Sequence, residues 1–493
     1  MYFHQLLKSC RRFSSKILRF NLSTQTVQEQ VTTFQRSIDY RINVEKISDR
    51  IQPSLVLRKL VDRSLICSSF PDILIDNLAE FDNVQPKVYL GFDPTTDSLH
   101  IGNLITLNAA LHLFANGFEI YILIGGGTCK LGDPSGRNTD RPAIDWATVK
   151  KNSDSIAQQI QNLFANFTKY FLVGKKQKLK PVRFMNNAKW YSDLNVVEFL
   201  DEFGRQFRVK HLLEKQAIKS RLSETGLNLN EFLYQILQAY DFLKIYDDHG
   251  CLLQLGGTDQ IGNVHAGHDL VKKLRAKDAV GIFSPLLTDE NGEKLGKSLG
   301  NALYLNPHRT SPFHFYQHLF KLHDTLVQKY MYLLTNLPIR EIDRICDKHT
   351  KIPENREAQK ILAEQLTLLV HGETGVRSAL KTTEVLFHNK IEHLLTMTSE
   401  EINSAFKDIP QIQLKFRPDC TALELALATG HFTTEDEALL WLNRGSFYVN
   451  SIKVREPKCI MVRDCHILSN GLSLIKIGKK RDDIYLIRWD YSA

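Results

Sequence analysis

Long apolar runs are missing from this chain, although 43% of its 493 residues are hydrophobic. A membrane-spanning helix needs about 20 consecutive apolar residues, so we predict no membrane insertion. Only eight cysteines are present, and none lies in a Cys-X-X-Cys pair or in a Cys/His cluster with zinc spacing. The pattern argues against a metal site and a disulfide framework, and it favours free thiols in a reducing or matrix-like compartment.

Acidic residues are also missing from the start of the chain, where none precedes Glu29. On a helical wheel, basic residues from Lys8 to Arg19 share one side and apolar residues from Leu6 to Phe20 share the other. Basic amphipathic segments rich in hydroxyl residues are typical of mitochondrial transit peptides. Residues 1–35 are therefore predicted to be a transit peptide that directs the protein to the mitochondrial matrix. The alternative is an exposed basic arm that binds RNA or a membrane surface.

Neither sign of charge is in large excess, since 63 Lys and Arg face 55 Asp and Glu and give a net charge of +8. This modest positive charge is compatible with a polyanionic partner but does not demand one. At this length the chain has room for about two to four domains with well-buried cores.

The most informative local pattern covers residues 87–113, KVYLGFDPTTDSLHIGNLITLNAALHL. Alternating apolar residues predict a buried strand, and the leucines that follow predict a helix with Asp97 or Ser98 as its cap. His100 and Gly102 then fall in the first turn, where free N–H groups and the helix dipole favour an anion. His100 adds a side-chain donor, and Gly102 lacks the Cβ that would hold a nucleotide away.

A second informative stretch is residues 292–301, GEKLGKSLGN. Lys294 and Lys297 lie three positions apart, Ser298 follows, and the flanking glycines with no apolar face predict a mobile loop. Two ammonium groups on such a loop suit a polyphosphate whose charge moves during a reaction.

Together, HIGN at residues 100–103 and KLGKS at residues 294–298 resemble the HIGH and KMSKS motifs of the class I aminoacyl-tRNA synthetases. The match is imperfect, because Asn103, Leu295 and Gly296 depart from the family pattern.

The segments between these motifs narrow the resemblance to the tyrosyl-tRNA synthetases, mitochondrial type. They are YDFL at residues 240–243 and LQLGGTDQIGN at residues 253–263. Ile261 stands where a Trp is expected, and we interpret the change as different packing.

The order of the elements predicts an α/β fold. Strands alternate with helices up to about residue 305, which indicates a doubly wound parallel, Rossmann-like sheet with ligands at its carboxyl edge. The resemblance implies a class I catalytic domain over 36–305, with inserted dimerisation helices at about 190–228. It further implies an α-helical anticodon-binding domain over 306–395, a linker over 396–418 and a small α+β S4-like RNA-binding domain over 419–493.

The resemblance implies a tyrosine–tRNA ligase that activates tyrosine with ATP and transfers it to tRNA(Tyr) for mitochondrial translation. ATP with Mg2+ would be a substrate, with no tightly bound cofactor, and a homodimer is implied. The implied catalytic residues are Thr95, His100, Lys294 and Lys297. The implied ATP-binding residues are Gly91, Asp93, His100, Gly102, Asn103, Arg137, Lys294, Lys297 and Ser298.

Tyrosine selection requires a buried pair that hydrogen-bonds a phenol, and by motif position this pair is Tyr89 and Asp241. The resemblance places the amino group of tyrosine against Asp133, Tyr234 and Gln238. Tyr234, Gln238 and Asp241 share one side of a predicted helix, because they lie four and three positions apart. The remaining implied tyrosine-binding residues are Asn187 and Gln254, and those on the adenylate and ribose side are Gly257, Asp259 and Gln260.

Other assignments stay open from the sequence. A tryptophanyl-tRNA synthetase shares the fold and the motifs, although Tyr89 with Asp241 and the S4-like segment argue against it. A non-catalytic organellar RNA-binding or splicing protein could keep the scaffold. For the C-terminal segment, a plain α+β interaction module is the alternative to an S4-like domain.

Overall fold

The structure is a computed structural model that describes residues 42–43, 52–72, 82, 85–135, 139, 142–174, 179–224, 226–288, 302–407, 409–478 and 483–492. The predicted transit peptide lies outside these residues. Within the described part of the chain, no helix is long and apolar enough to cross a membrane. Likewise, no disulfide joins the seven cysteines that the structure describes. Residues 40–310 and 317–372 form one compact unit, and residues 311–316 and 373–493 belong to another.

A six-stranded sheet forms the centre of the first unit, in the order β2-β8-β7-β3-β4-β6. Strands β3, β4, β6, β7 and β8 run parallel, and β2 is an antiparallel edge strand. A separate parallel pair joins β1 to β5. The strands are β1 (Ile42–Asn43), β2 (Ser68–Phe70), β3 (Lys87–Phe92), β4 (Glu119–Ile124), β5 (Leu172–Val173), β6 (Arg183–Asn186), β7 (Leu253–Gly257) and β8 (Val280–Ser284).

This topology confirms the predicted doubly wound parallel sheet. The chain builds the sheet outward from β3 through β4 to β6, and it then returns to the other side of β3 for β7 and β8. The strand order therefore reverses between β3 and β7, which is where sheets of this kind leave a crevice for ligands. Strand β4 is buried along its whole length, as expected for a central strand covered on both faces.

Of the helices of the first unit, those at residues 101–115 and 261–275 each contact several strands of the central sheet. The helices up to residue 275 are α1 (Pro53–Asp62), α2 (Ile101–Ala115), α3 (Trp146–Tyr170), α4 (Ala188–Ser192), α5 (Val196–Glu202), α6 (Val209–Leu213), α7 (Gln216–Glu224), α8 (Leu229–His249) and α9 (Ile261–Arg275).

The chain then continues through helices α10 (Pro312–Phe320), α11 (Asp324–Leu334), α12 (Ile339–Lys351) and α13 (Glu357–His388). The sequence predicts that the last helix ends at Gly372. Gly372 does leave the helical conformation, with φ 68° and ψ −172°, but helical structure resumes after it.

The second unit contains a five-stranded sheet in the order β11-β10-β12-β13-β9. Its strands are β9 (Gln411–Lys415), β10 (Phe447–Val449), β11 (Ile452–Val454), β12 (Leu472–Ile477) and β13 (Ile484–Asp490). Its further helices are α14 (Ser399–Ala405), α15 (Ala422–Ala428) and α16 (Glu435–Asn443). This confirms a small α+β sheet at the C-terminus.

The segment expected as a linker, 396–418, differs from that expectation. It contains α14 and β9, and β9 pairs in parallel with the final strand β13. Ile412 and Leu414 on β9 pack against the core of this unit. An alternation of only five residues with two apolar positions is too short a pattern to predict strand β9 from the sequence. The domain boundaries and the RNA-binding roles stay predictions.

Candidate active site

A cavity of about 890 Å³ opens at the carboxyl ends of β3, β4, β7 and β8. It gathers every described residue that the sequence analysis names as a site residue: Tyr89, Gly91, Asp93, Thr95, His100, Gly102, Asn103, Asp133, Asn187, Tyr234, Gln238, Asp241, Gln254, Gly257, Asp259 and Gln260. Arg137, Lys294, Lys297 and Ser298 lie outside the described residues. The individual roles of these residues stay predictions.

His100 is the N-cap of helix α2, and this corrects the expectation that Asp97 or Ser98 caps it. The His100 Nδ1 atom accepts a hydrogen bond from Gly102 N at 3.1 Å, and Asn103 Oδ1 accepts one from His100 N at 3.1 Å. Asn103, which departs from the family motif, thus completes a reciprocal capping box. Because Nδ1 accepts, a neutral His100 carries its proton on Nε2.

The segment that follows the lysine motif returns beside His100. Ile101 N donates to Leu303 O at 2.9 Å, and Leu305 N donates to Leu99 O at 2.8 Å. On the other flank of the motif, Leu287 lines the cavity. One flank of residues 289–301 is therefore bonded beside the start of α2, and the other lines the same cavity.

Asp241 on helix α8 is a buried carboxylate at one end of the cavity, with 2% of its surface exposed. Its Oδ1 accepts hydrogen bonds from Tyr191 Oη at 2.7 Å and from Trp190 Nε1 at 3.0 Å. Its Oδ2 accepts from Asn187 Nδ2 at 3.0 Å. The three donors lie at positions i, i+3 and i+4 around the short helix α4, so one face of that helix meets the carboxylate.

Burial raises the pKa of Asp241 to about 7; the hydrogen bonds from Tyr191, Asn187 and Trp190 oppose this rise, and the charge of Asp93 adds to it. Burial also raises the pKa of Tyr89 well above its ordinary value, with Asp241 the next cause. The Tyr89 hydroxyl is buried and has no hydrogen-bond partner among the described residues. An unmatched hydroxyl beside a buried carboxylate, both lining one cavity, is the arrangement that a hydroxyl-bearing ligand would complete.

Asp93 forms a second polar centre in the cavity. Its Oδ1 accepts from Thr128 Oγ1 at 2.9 Å and its Oδ2 from Tyr234 Oη at 3.0 Å. The lack of a side chain at Gly125 leaves room for this carboxylate, because a Cβ at Gly125 would lie 1.9 Å from Asp93 Oδ1. The predicted ATP-binding Asp93 and the predicted tyrosine-binding Tyr234 are therefore joined directly.

Asp133 is hydrogen-bonded to residues other than Tyr234 and Gln238, its predicted partners. Its Oδ2 accepts from Gln260 Nε2 at 2.8 Å, and its Oδ1 accepts from Ser135 N at 2.9 Å. Gln260 begins helix α9 as its N-cap. The structure thus places Asp133 beside the residues predicted for the ribose side.

Several residues that the sequence analysis did not assign complete these clusters. Thr128 contacts both Asp93 and Asn187, and Asn263 contacts Gln260. Trp190 and Tyr191 donate to Asp241 beside Asn187. Their spacing from Asn187 is the signal that could have found them, since it places all three on one helical face.

The chain was compared with known proteins. The sequence model of the family described as tRNA synthetases class I (W and Y) matches residues 82–388. A mitochondrial tyrosine–tRNA ligase of Drosophila melanogaster is 39% identical over 438 residues, which cover 88% of this chain and 94% of that protein. The mitochondrial tyrosine–tRNA ligase of Homo sapiens is 40% identical over 403 residues, covering 82% of this chain and 84% of that protein.

A solved structure supports the same grouping. It is a C-terminally truncated mitochondrial tyrosyl-tRNA synthetase of Aspergillus nidulans, which superposes with a TM-score of 0.60 at 26% sequence identity. The match covers 74% of this chain and 100% of that one.

Proposed function

The chain belongs to the class I tRNA synthetases of the tryptophanyl and tyrosyl group, and from this premise we propose that it is a tyrosine–tRNA ligase. It activates tyrosine with ATP, releases pyrophosphate and transfers the tyrosyl group to tRNA(Tyr). The observation that carries the choice of tyrosine is the buried Asp241 carboxylate beside the unpaired Tyr89 hydroxyl.

This pair explains selectivity against phenylalanine. The phenol of tyrosine donates to the Asp241 carboxylate and accepts from the Tyr89 hydroxyl. Phenylalanine would leave the Tyr89 hydroxyl buried without the acceptor that a phenol supplies and would deprive Asp241 of the phenol's donor, and tyrosyl-tRNA synthetases are themselves the established example of rejection by this means. Tryptophan has an indole N–H donor but no acceptor for the Tyr89 hydroxyl.

The other end of tyrosine lies towards Tyr234, Gln238 and Asp93. Gln238 and Gln254 each have a buried side-chain oxygen without a described partner, so each can accept from an ammonium group or a hydroxyl. The Asp93 carboxylate, already held by Tyr234, adds negative charge on the same side. This supports placing the amino group of the substrate here.

Activation needs alignment and dispersal of charge more than proton transfer. The carboxylate of tyrosine attacks the α-phosphate of ATP, and pyrophosphate leaves. His100, Thr95 and the positive dipole end of α2 serve the phosphates, and Gly91 and Gly102 give the nucleotide room. Lys294, Lys297 and Ser298 complete the proposal, supported by the anchoring of residues 303–305 beside His100.

ATP arrives with Mg2+ as substrate. Among the described residues there is no cluster of three His, Cys, Asp or Glu side chains that could hold a metal ion. In the proposal Mg2+ would enter with ATP and would neutralise part of the phosphate charge.

The proposal places the enzyme in the mitochondrial matrix as a homodimer that binds tRNA(Tyr). The names of its relatives support the mitochondrial location. Exposed apolar side chains on the inserted helices support the dimer: Val196, Val197, Leu200, Val209, Leu213 and Leu222.

Amino-acid-dependent ATP–pyrophosphate exchange tests this proposal. Protein lacking residues 1–35 is expected to exchange with tyrosine and not with tryptophan or phenylalanine. Asp241→Ala is expected to lose at least about a hundredfold in kcat/KM for tyrosine, because a buried charge-assisted hydrogen bond is removed. Exchange with tryptophan instead would assign the sister activity, and no exchange with any amino acid would favour a non-catalytic RNA-binding protein.

A further inference from the structure

We propose that Tyr191 is a positioning residue that sets the selectivity for tyrosine by holding Asp241 in its hydrogen-bond-accepting form. The inference rests on the proposed function and adds to it a residue outside the cavity lining. Tyr191 acts on the substrate through Asp241.

The geometry around Asp241 singles out Tyr191. Its hydroxyl lies 2.7 Å from Asp241 Oδ1, closer than Trp190 Nε1 or Asn187 Nδ2, each 3.0 Å from a carboxylate oxygen. The Tyr191 ring is wedged against the loop after β4, where a Cβ on Gly127 would lie 2.7 Å from Tyr191 Cδ2. Packing therefore keeps the ring in place and aims the hydroxyl at the carboxylate.

Tyr191 alone among the three donors can serve both protonation states of Asp241. The indole and amide N–H groups can only donate, whereas a phenol can donate or accept. The Tyr191 hydroxyl also lies 2.9 Å from Leu237 O. Having one proton, it donates to Asp241 when the carboxylate is charged. When Asp241 is protonated, it can donate to Leu237 O and accept from Asp241.

The two hydrogen-bonding arrangements of Tyr191 matter because the pKa of Asp241 lies near neutral pH. Burial raises the pKa of Asp241 to about 7. Of the three hydrogen bonds that oppose this rise, the one from Tyr191 has the largest effect. The other titratable groups coupled to Asp241 are Asp93, Tyr89 and Tyr240. Loss of the Tyr191 donor would shift Asp241 towards the protonated form, which no longer accepts from a phenol in the same way.

The test compares Tyr191→Phe with Tyr240→Phe. Phenylalanine at 191 keeps the ring that packs against Gly127 and removes only the hydroxyl. Tyr240 lies in the same aromatic cluster, with its ring 6.0 Å from that of Tyr191, but no hydrogen bond joins its hydroxyl to Asp241 among the described contacts. The control therefore removes a neighbouring hydroxyl without removing a donor to the carboxylate.

Tyrosine- and phenylalanine-dependent exchange is measured from about pH 6 to pH 9 for wild type and both variants. Tyr191→Phe is expected to raise KM for tyrosine about tenfold or more near pH 7 and to leave KM for ATP unchanged. The midpoint of the pH profile of kcat/KM for tyrosine is expected to move up by about one unit. The discrimination between tyrosine and phenylalanine falls, and Tyr240→Phe behaves like wild type.

A second measurement follows Asp241 without turnover. The infrared carbonyl band of a buried protonated carboxyl, identified by its loss in Asp241→Asn, is titrated in wild type and in Tyr191→Phe. Its midpoint is expected to rise in the variant. An unchanged midpoint, or an equal loss for ATP and tyrosine with an unmoved pH profile, would overturn the role of Tyr191. If the infrared midpoint rises in Tyr191→Phe but the wild-type protein shows no tyrosine-dependent exchange, the proposed function is overturned and, with it, the link to selectivity.

Discussion

Asp241 sits in an unfavourable place for a charge and is supplied with donors to compensate. Only 2% of the residue is exposed, and three side chains donate to its two oxygens. Hydrogen bonds to a charged group are each worth about 1.5–3 kcal/mol, whereas an unpaired buried carboxylate costs several. The site therefore maintains a strong acceptor for a phenol at some expense to stability.

That expense predicts a pH-dependent stability difference between wild type and Asp241→Asn. Burial raises the pKa of Asp241 from 3.8 to about 7 in the folded protein. Between these values the folded state holds a proton that the unfolded chain has released, so wild-type stability falls as pH rises through this window and is level above it. Relative to wild type, the variant is expected to gain about 2–4 kcal/mol between about pH 4 and pH 8.

Urea unfolding across this pH range measures the difference. Asp241→Ala is the matched control, because it removes the same titration but packs differently. Both variants should show the same pH-dependent gain even though their absolute stabilities differ. A difference from wild type that stays constant with pH would contradict the raised pKa.

At the scale of elements, helices α8 and α9 approach closely through a glycine. A Cβ on Gly267 of α9 would lie 2.8 Å from Phe242 Cδ1. Phe242 follows Asp241 in the chain, and its ring meets that of Tyr89 edge-on at a centroid distance of 5.0 Å. The spacing of the two helices thus controls where the selectivity pair lies.

The same substitution at two positions of α9 is expected to have opposite effects. Gly267→Ala forces Phe242 to move and is expected to destabilise the fold by about 1–3 kcal/mol, with a higher KM for tyrosine. Gly262→Ala has only ordinary contacts, the nearest being Lys215 Cβ at 3.7 Å. It is expected to be neutral or to stabilise the helix by up to about 1 kcal/mol.

Chemical unfolding of the two variants, together with tyrosine titrations of exchange, checks this pair. Equal effects at both positions would show that the close contact with Phe242 is not a constraint.

At the scale of the whole molecule, the inserted helices carry several large apolar side chains that are exposed to solvent. Val197 and Val196 are 71% and 67% exposed, and Leu200, Val209, Leu213 and Leu222 of the same segment are also exposed. Exposed apolar side chains in number mark interaction surfaces, and homo-oligomers of two-fold symmetry are the commonest kind. We therefore expect this face to be covered by a second copy of the chain.

Replacing Val197 with Glu is expected to convert a dimer into a monomer, because two symmetric copies would each bury an unpaired charge. Sedimentation velocity over a range of concentrations measures the mass. Leu55→Glu is the control, since Leu55 is 52% exposed but lies on α1, outside the inserted helices. A wild-type protein that stays monomeric at all concentrations would contradict the proposed dimer.

The sequence also predicted much of the candidate site, because the motifs fix residue types at the ends of elements whose periodicity is clear. Strand β3 and helix α2 are predicted from the apolar pattern of residues 87–113. Every described residue predicted for the site lines one cavity. A parallel sheet makes this possible, since it brings the carboxyl ends of its strands to a single edge.

The sequence predicts less well which of several neighbouring polar residues caps a helix. The helix cap fell on His100 and not on Asp97 or Ser98, since the capping box with Asn103 begins the helix later. Strand β9 carries too few apolar residues for its pairing with β13 to be read from sequence.

By itself the sequence determined the fold class, the motif residues and the kind of chemistry, because periodicity and motif spacing are local properties of the chain. Only the tertiary structure decided which side chains meet. It joined Asp93 to Tyr234, moved Asp133 to Gln260, and brought Tyr191 to Asp241 across 50 positions. Hydrogen bonds between distant segments depend on how strands and helices pack, and no local pattern records that packing.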